Sequence, residues 1–435
     1  MKKPNIIMVI SHDTGRYMEN YGQHIETPNL KALAEQGIQF NQYYCSQPQC
    51  SPSRGSILTG MYSHNHGMMG LAHMGHSMTK EVTTIPSALQ RVNYETWLFG
   101  FSHEAIDGGK PGRHLGYQHI TEVHGNAAKE VTVKLESFLE KQTEEGNDKP
   151  FFASVGFEET HLPVDHFEPD PLGSVEPLDY LPAAEGVLND LAHFHGSVKS
   201  LDRAVGDIMT KMRKTGLDKN TVLIYTTDHG IPFPRAKGTL FDAGLETALM
   251  MKFPDGTLKQ GREINELLCN IDLMPTLLEL AGADIPEHID GSSFLSLLKE
   301  EKYKERDSFF CEQTWHDRYH PMRGIRTKEY KYIRNFEDGP KVYLPLDIHQ
   351  SKAGQAVREE FYVPNAKEEL YDLKKDPLEK DNLIEDPDYE AVVNQLREKV
   401  DNWMKQTQDP LLEGKVPGFE AEEWEMERKG ELFEF

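Results

Sequence analysis

The chain has 435 residues, 38% of them hydrophobic, and its 47 Lys and Arg against 71 Asp and Glu leave a formal net charge of −24. That length allows one large domain with an appendage, or two domains. The acidic balance excludes a general nucleic-acid or anionic-membrane binder, because such partners need a basic surface to displace counterions, and an anionic substrate would need a locally basic pocket.

Asn5 to Ile10 is an apolar run of strand length that stops at Ser11-His12-Asp13. Thr27-Pro28 then starts a helix, Thr27 as N-cap and Pro28 in the first turn, with Leu30, Leu33 and Ala34 on one face and Gly37 ending it. Thr96 to Phe99, Pro150 to Phe157 and Thr221 to Thr227 are further apolar runs bounded by Gly, Pro, Asn or Asp. Between the last two, Val198, Leu201, Val205, Ile208 and Met212 repeat at helical spacing up to Gly216, and Asp272 to Ala281 reads as another helix. Strand alternating with amphipathic helix predicts an α/β fold with a large, mostly parallel sheet sandwiched by helices. Beyond residue 300 the background turns Lys/Glu-rich. Ser308 to Thr314, Gly324 to Asn335 and Glu369 to Leu373 read as strands, and Tyr389 to Met404 as a helix. The expected division is therefore a catalytic α/β domain over 1–300 and a smaller α+β subdomain over 301–435, whose acidic stretch Glu420 to Phe435 is a tail or a packed strap.

No apolar run approaches the roughly 18 residues of a membrane span. Met1-Lys2-Lys3-Pro4 passes into the first strand without a cleavable signal pattern, which predicts a cytoplasmic protein. Cys45, Cys50, Cys269 and Cys311 are too sparse for a disulfide scaffold.

In an open α/β sheet, ligands bind beyond the carboxyl ends of the strands. Asp13, His103, His161 and the pair Asp228-His229 follow apolar runs and are the first suspects. Taken singly, Asp13 could cap a turn and His161 could be loop packing. Together at one edge they predict a site for a divalent cation and an oxyanion. The sharpest segment is Cys50-Ser51-Pro52-Ser53-Arg54-Gly55-Ser56-Ile57-Leu58-Thr59-Gly60. Ser51 reads as an N-cap and Pro52 as the first helical residue, which places Cys50 at a surface-facing helix start where negative charge is favoured, with Arg54 one turn in.

Cys-x-Pro-Ser-Arg-x-x-x-Leu-Thr-Gly resembles the formylglycine signature of the type I sulfatases, members of the alkaline-phosphatase-like superfamily. Thr27-Pro28-Asn29-Leu30, the stretch Asp218 to Gly230, Lys237, Asp272 to Leu278 and Glu369 to Leu373 follow in the family's order. Within it the chain is most similar to the sulfamidases (heparan N-sulfatases), through His64-Asn65-His66-Gly67-Met68, Gly230 to Pro234 and Tyr319-His320-Pro321-Met322-Arg323.

The resemblance implies a sulfohydrolase acting on a sulfate ester or sulfamate of a small sugar, of the N-sulfoglucosamine type, at the end of a chain. It implies that a maturation enzyme oxidises Cys50 to formylglycine. One hydroxyl of that aldehyde's hydrate attacks sulfur; the other loses a proton so that sulfate is expelled. Arg54 would stabilise the hydrate, Asp13, Asp228 and His229 with Cys50 would hold the metal, and His161 and Lys237 would bind the sulfo group. His161 would donate a proton to the leaving group, and His103 would orient the second hydroxyl. His66, Glu312, His320 and Arg323 would contact the sugar, in a wall that includes His316 and Asp317. The family default metal is Ca²⁺. Two departures stand out. His12-Asp13 replaces the family's paired aspartates, and His12 as a ligand would favour Mn²⁺ or Zn²⁺. Gly100-Phe101-Ser102-His103 lacks the family's sulfo-binding lysine, which Lys110 or Arg113 would have to replace. The rivals are a phosphonate monoester or phosphodiester hydrolase using the same site, and a silent carbohydrate- or metal-binding protein with Cys50 unoxidised.

Overall fold

The structure, a computed structural model, describes residues 3–419 except 80, 105, 108, 109, 112, 122, 124, 126 and 147. The stretch Glu420 to Phe435 lies outside the described residues, as do the side chains of Lys110 and Arg113.

An eight-stranded sheet forms the centre. Its strands in chain order are β1 (Asn5–Ser11), β2 (Ile38–Phe40), β3 (Glu95–Gly100), β4 (His119–Thr121), β5 (Phe151–Gly156), β6 (Thr221–Thr227), β7 (Leu249–Lys252) and β8 (Arg262–Ile264). They lie in the order β8-β2-β7-β6-β1-β5-β3-β4. Only β7 runs against its neighbours. The register places Ser11 beside Thr227, Ile10 beside Gly156, and Gly100 beside Gly156, so β6, β1, β5 and β3 end side by side.

Both faces of β1 are apolar because both are covered. Ile6, Met8 and Ile10 pack with α2 (Cys50–Thr59), α3 (Ile85–Arg91) and α6 (Leu273–Ala281). Ile7 and Val9 pack with α1 (Pro28–Gln36), α4 (Ala128–Glu144) and the long α5 (Glu185–Thr215). The sequence places β1, β3, β5, β6, α1 and α6 to within a few residues, gives only the second half of α5, and does not give β2, β4, β7, β8, α3 or α4. Thr27 does precede α1, but its hydroxyl accepts from Glu19 N–H instead of capping the helix. Asp202 of α5 takes that role by accepting from the N–H groups of Asn29 (3.0 Å) and Leu30 (2.8 Å).

Past residue 300, β9 (Ser308–Trp315), β10 (Tyr319–Thr327), β11 (Tyr330–Asn335) and β12 (Glu368–Asp372) form an antiparallel sheet in chain order. The run read as one strand from Gly324 to Asn335 is two, β10 and β11, turning at Lys328-Glu329. Helices α7 (Leu346–Gln350), α8 (Lys352–Phe361) and α9 (Glu390–Gln406) complete this part. One hydrophobic cluster joins it to the rest, running from Tyr17, Val198 and Phe233 to Ile325, Leu370 and Val400.

Candidate active site

The polar groups that follow β1, β6, β5 and β3 converge at that shared edge. Asp13 adopts a positive φ of 52°, a conformation that Asp tolerates better than most residues, and its N–H donates to Asp228 Oδ1 at 2.9 Å. His229 Nε2 stands 2.9 Å from Asp13 Oδ1 and 3.4 Å from Cys50 Sγ. Its Nδ1 lies 3.0 Å from Gly230 O, which fixes the ring with Nε2 towards the carboxylates. Gly230 is required there: a Cβ would meet Ala243 O at 1.9 Å. His12 Nδ1 lies 2.6 Å from Asp13 Oδ1 and 3.8 Å from Asp228 Oδ2.

Helix α2 brings Cys50 into this group. Its N-cap is Gln49, not Ser51, whose hydroxyl instead accepts from Ala72 N–H. Cys50 is not surface-facing; it is 2% exposed. Arg54, one turn in, donates from Nε to Asp228 Oδ2 at 2.9 Å. Ser53 Oγ donates to Asp228 O, and Asn270 Nδ2 donates to Ser53 O at 3.2 Å, so the helix start is tied to β6 and to the segment before α6.

Lys237, from the loop after β6, donates to Asp13 Oδ2 at 2.7 Å and stands 3.2 Å from His161 Nε2. His161 Nδ1 lies 2.5 Å from Leu162 O, leaving Nε2 turned to the lysine. His103 reaches the edge but turns to His73, with Nε2 3.0 Å from His73 Nδ1 and the rings stacked. Phe101, at the position of the family's lysine, lies under the Arg54 guanidinium at 4.9 Å and packs edge-on to His12.

The electrostatics follow from burying opposite charges together. Burial by itself would raise Asp13, but Lys237, His12 and His229 hold its carboxyl well below the usual range. Burial would also raise the Cys50 thiol, yet His12 and Lys237 pull it well below its ordinary value. Against a burial cost, Cys50, Asp13 and Asp228 lift His12 to about 9, and Asp228 and Asp13 lift His229 as well. His161 is lowered, first by burial and then by Lys237.

His12, Asp13, Cys50, Asp228 and His229 offer ligand atoms all within 4.8 Å of one another. Two buried carboxylates beside two imidazoles carrying raised pKa values fit a divalent cation, whose charge would replace those protons.

Four residues expected at the sugar lie elsewhere. Glu312 and Arg323 are 0% exposed and bind each other at 3.4 Å; Arg323 also pairs with Asp409, and Glu312 with His64. His66 is buried behind α2, 3.3 Å from Ser56 Oγ. His320 stacks on Tyr343, and burial lowers it to about 4. Sequence reasoning missed Asp347, Glu104 and His73. Asp347 of α7 accepts from Lys237 Nζ at 2.8 Å. Glu104 accepts from His103 N–H at 3.0 Å, with Oε1 3.9 Å from Arg54 Nη1. Glu104 and His73 had a weak signal in their nearness to predicted site segments; Asp347 had none.

The sulfatase family profile matches residues 4–283, and the chain belongs to that family. A second profile, for the C-terminal part of N-sulphoglucosamine sulphohydrolase, matches residues 235–353. The human N-sulphoglucosamine sulphohydrolase is 26% identical over 94% of this chain and 91% of its own length. An ulvan-active sulfatase of Formosa agariphila is 28% identical over 93% of this chain and 75% of its own. A protein solved in complex with its substrate D-glucosamine-2-N,6-O-disulfate superposes with a TM-score of 0.74 at 20% identity, covering 94% of this chain and 99% of that one.

Proposed function

We propose that this sulfatase removes the sulfo group of a small N-sulfoglucosamine-type sugar, with Cys50 oxidised to formylglycine by a maturation enzyme. The observation that carries the reading is the cluster of Asp13, Asp228 and His229 at Cys50, with Arg54 and Lys237 bound to its two carboxylates. The profile match over 235–353 and the human relative support the sulfamate over other sulfated sugars.

The hydrated aldehyde of formylglycine supplies the oxygen nucleophile and the means of expelling sulfate. His12, Asp13, Asp228 and His229 would hold a divalent cation, which would supply positive charge for the sulfo oxygens and lower the pKa of a hydroxyl beside it. With two nitrogens and two carboxylates, that donor set favours Mn²⁺ or Zn²⁺ over Ca²⁺. Arg54 and Lys237 neutralise the anion's approach; Arg54, stacked on Phe101 and bound to Asp228, has its direction fixed. His161 Nε2 lies 3.2 Å from Lys237 Nζ, so a proton from the ammonium passes through the imidazole to the departing nitrogen. His103, braced by His73 and Glu104, orients the hydroxyl that is not attacking.

The test is a mass spectrum of the Cys50 peptide together with turnover of N-sulfoglucosamine, p-nitrophenyl sulfate and a phosphodiester. Replacement of sulfur by oxygen with loss of two hydrogens, and preference for N-sulfoglucosamine, are expected. Cys50→Ala should abolish turnover, and chelation should lower it by at least about 100-fold. A dominant phosphodiesterase activity would replace the reading with the phosphorus rival; an unmodified Cys50 without turnover would replace it with the silent binder.

A further inference from the structure

One carboxylate at the mouth of the site has no part in the chemistry above. Asp347 comes from α7, in the C-terminal part, and its Oδ2 lies 2.8 Å from Lys237 Nζ and 3.8 Å from His161 Nε2. Asp13, Asp228 and His229 are 0% exposed and Lys237 1%, whereas His161 is 31% and Asp347 24% exposed. A substrate therefore meets an imidazole and a carboxylate side by side, 3.8 Å apart.

By itself, a carboxylate there is unfavourable for a pocket that takes a sulfo anion. It shares the Lys237 ammonium with Asp13 and repels any anion that comes close. It is not needed to hold the lysine, because Asp13 Oδ2 already binds the ammonium at 2.7 Å from a fully buried position. The cost is offset when the substrate brings a hydrogen-bond donor to the same spot. The leaving atom of the substrate must lie against His161 Nε2 to receive a proton, and a polar hydrogen on the neighbouring carbon's substituent would then fall within reach of Asp347.

We propose that Asp347 is a specificity-determining residue: it accepts a hydrogen bond from an N–H or O–H of the leaving group beside the scissile bond. It thereby selects donor-rich amino-sugar leaving groups over aryl ones, and it weakens the hold on free sulfate. This rests on the sulfohydrolase reading.

The experiment uses the matured, metal-loaded protein, its Asp347→Asn and Asp347→Ala variants, two substrates (N-sulfoglucosamine and p-nitrophenyl sulfate) and calorimetric binding of inorganic sulfate. A hydrogen bond to a charged group is worth enough that the ratio of kcat/KM for sugar over aryl substrate should fall about 10- to 100-fold in Asp347→Ala. Sulfate should bind about tenfold tighter to both variants. A parallel loss on both substrates with weaker sulfate binding would make Asp347 a mere brace for Lys237 and overturn the proposal. If the wild type turns over neither substrate, the sulfohydrolase reading fails, and the sulfate arm still decides: unchanged or weaker binding in the variants overturns the role of Asp347. Should the variants not fold, the wild type is compared on N-sulfoglucosamine and an analogue lacking the hydroxyl next to the sulfamate. A preference below about threefold overturns the proposal, and one of about tenfold or more supports it.

Discussion

Removing the guanidinium of Arg323 would leave Asp409 without its cation and Glu312 with His64 alone, in a place with no access to solvent. A buried ion pair broken on one side costs about 3–5 kcal/mol. Arg323→Met is therefore expected to lose stability of that order in urea denaturation, while KM of the folded fraction moves by less than about twofold. A large rise in KM at unchanged stability would return Arg323 to the sugar wall. The strand pattern alone could not have decided this. Arg323 alternates correctly on β10 for either side of the sheet, and the partner that fixes its direction, Asp409, is 86 residues away in a stretch with no signal of its own. Asp13, Asp228 and His229 were legible for the opposite reason: each follows directly on an apolar strand, so chain order gives spatial order.

At the scale of elements, α2 carries Cys50, and its position is set by contact from behind. A Cβ on Gly55 would lie 2.8 Å from His66 Cε1, and that ring is buried and held by Ser56 and Met68. Gly55→Ala should cost about 1–3 kcal/mol through overpacking and should also weaken metal binding, read by calorimetry, because α2 moves with Cys50 and Arg54. Intact metal affinity alongside the stability loss would show that the helix start does not shift. Asp202→Ala should cost about 1–2 kcal/mol, since two N–H groups at the start of α1 lose their acceptor; an unchanged denaturation midpoint would refute the cap. In the central sheet β1, β3, β5 and β6 were read because parallel strands buried on both faces are simply apolar runs, whereas β2, β4, β7 and β8, of three or four residues each, were not. β10 and β11 were merged because Thr327-Lys328-Glu329-Tyr330 turns without glycine or proline.

For the molecule as a whole, acid sensitivity comes from imidazoles kept neutral inside it. Burial lowers His66, His76 and His320 from 6.5 to about 4. Between those values the unfolded chain takes up protons that the folded one refuses. The penalty is thus absent above pH 6.5 and complete below about 4, up to roughly 3 kcal/mol for each ring. Glu379 acts the other way: burial pushes it up to about 7, so the fold gains as pH falls from there to its ordinary 4.5. Burial also raises Glu159, Asp272 and Glu369, so the carboxyls offset part of what the rings cost, and the rings' own share is a fall in melting temperature from pH 7 to pH 4.5. His320→Phe, which keeps a ring against Tyr343, should show a smaller fall than the wild type; an identical slope would mean that His320 is protonated in the folded state.

Cys50 and every residue after it through Thr59 are buried, with their backbone committed to a helix. The proposed maturation enzyme would have to reach Cys50, Pro52 and Arg54, and the folded protein leaves none of them open to it. Under that proposal conversion would have a deadline. Each new chain would run a race between modification and closure of the fold, and a chain that folded first would be locked out of its chemistry for as long as it stayed folded. The active fraction of a preparation would then record how fast the protein folds relative to its maturation, and slowing synthesis or folding would raise it without changing a residue.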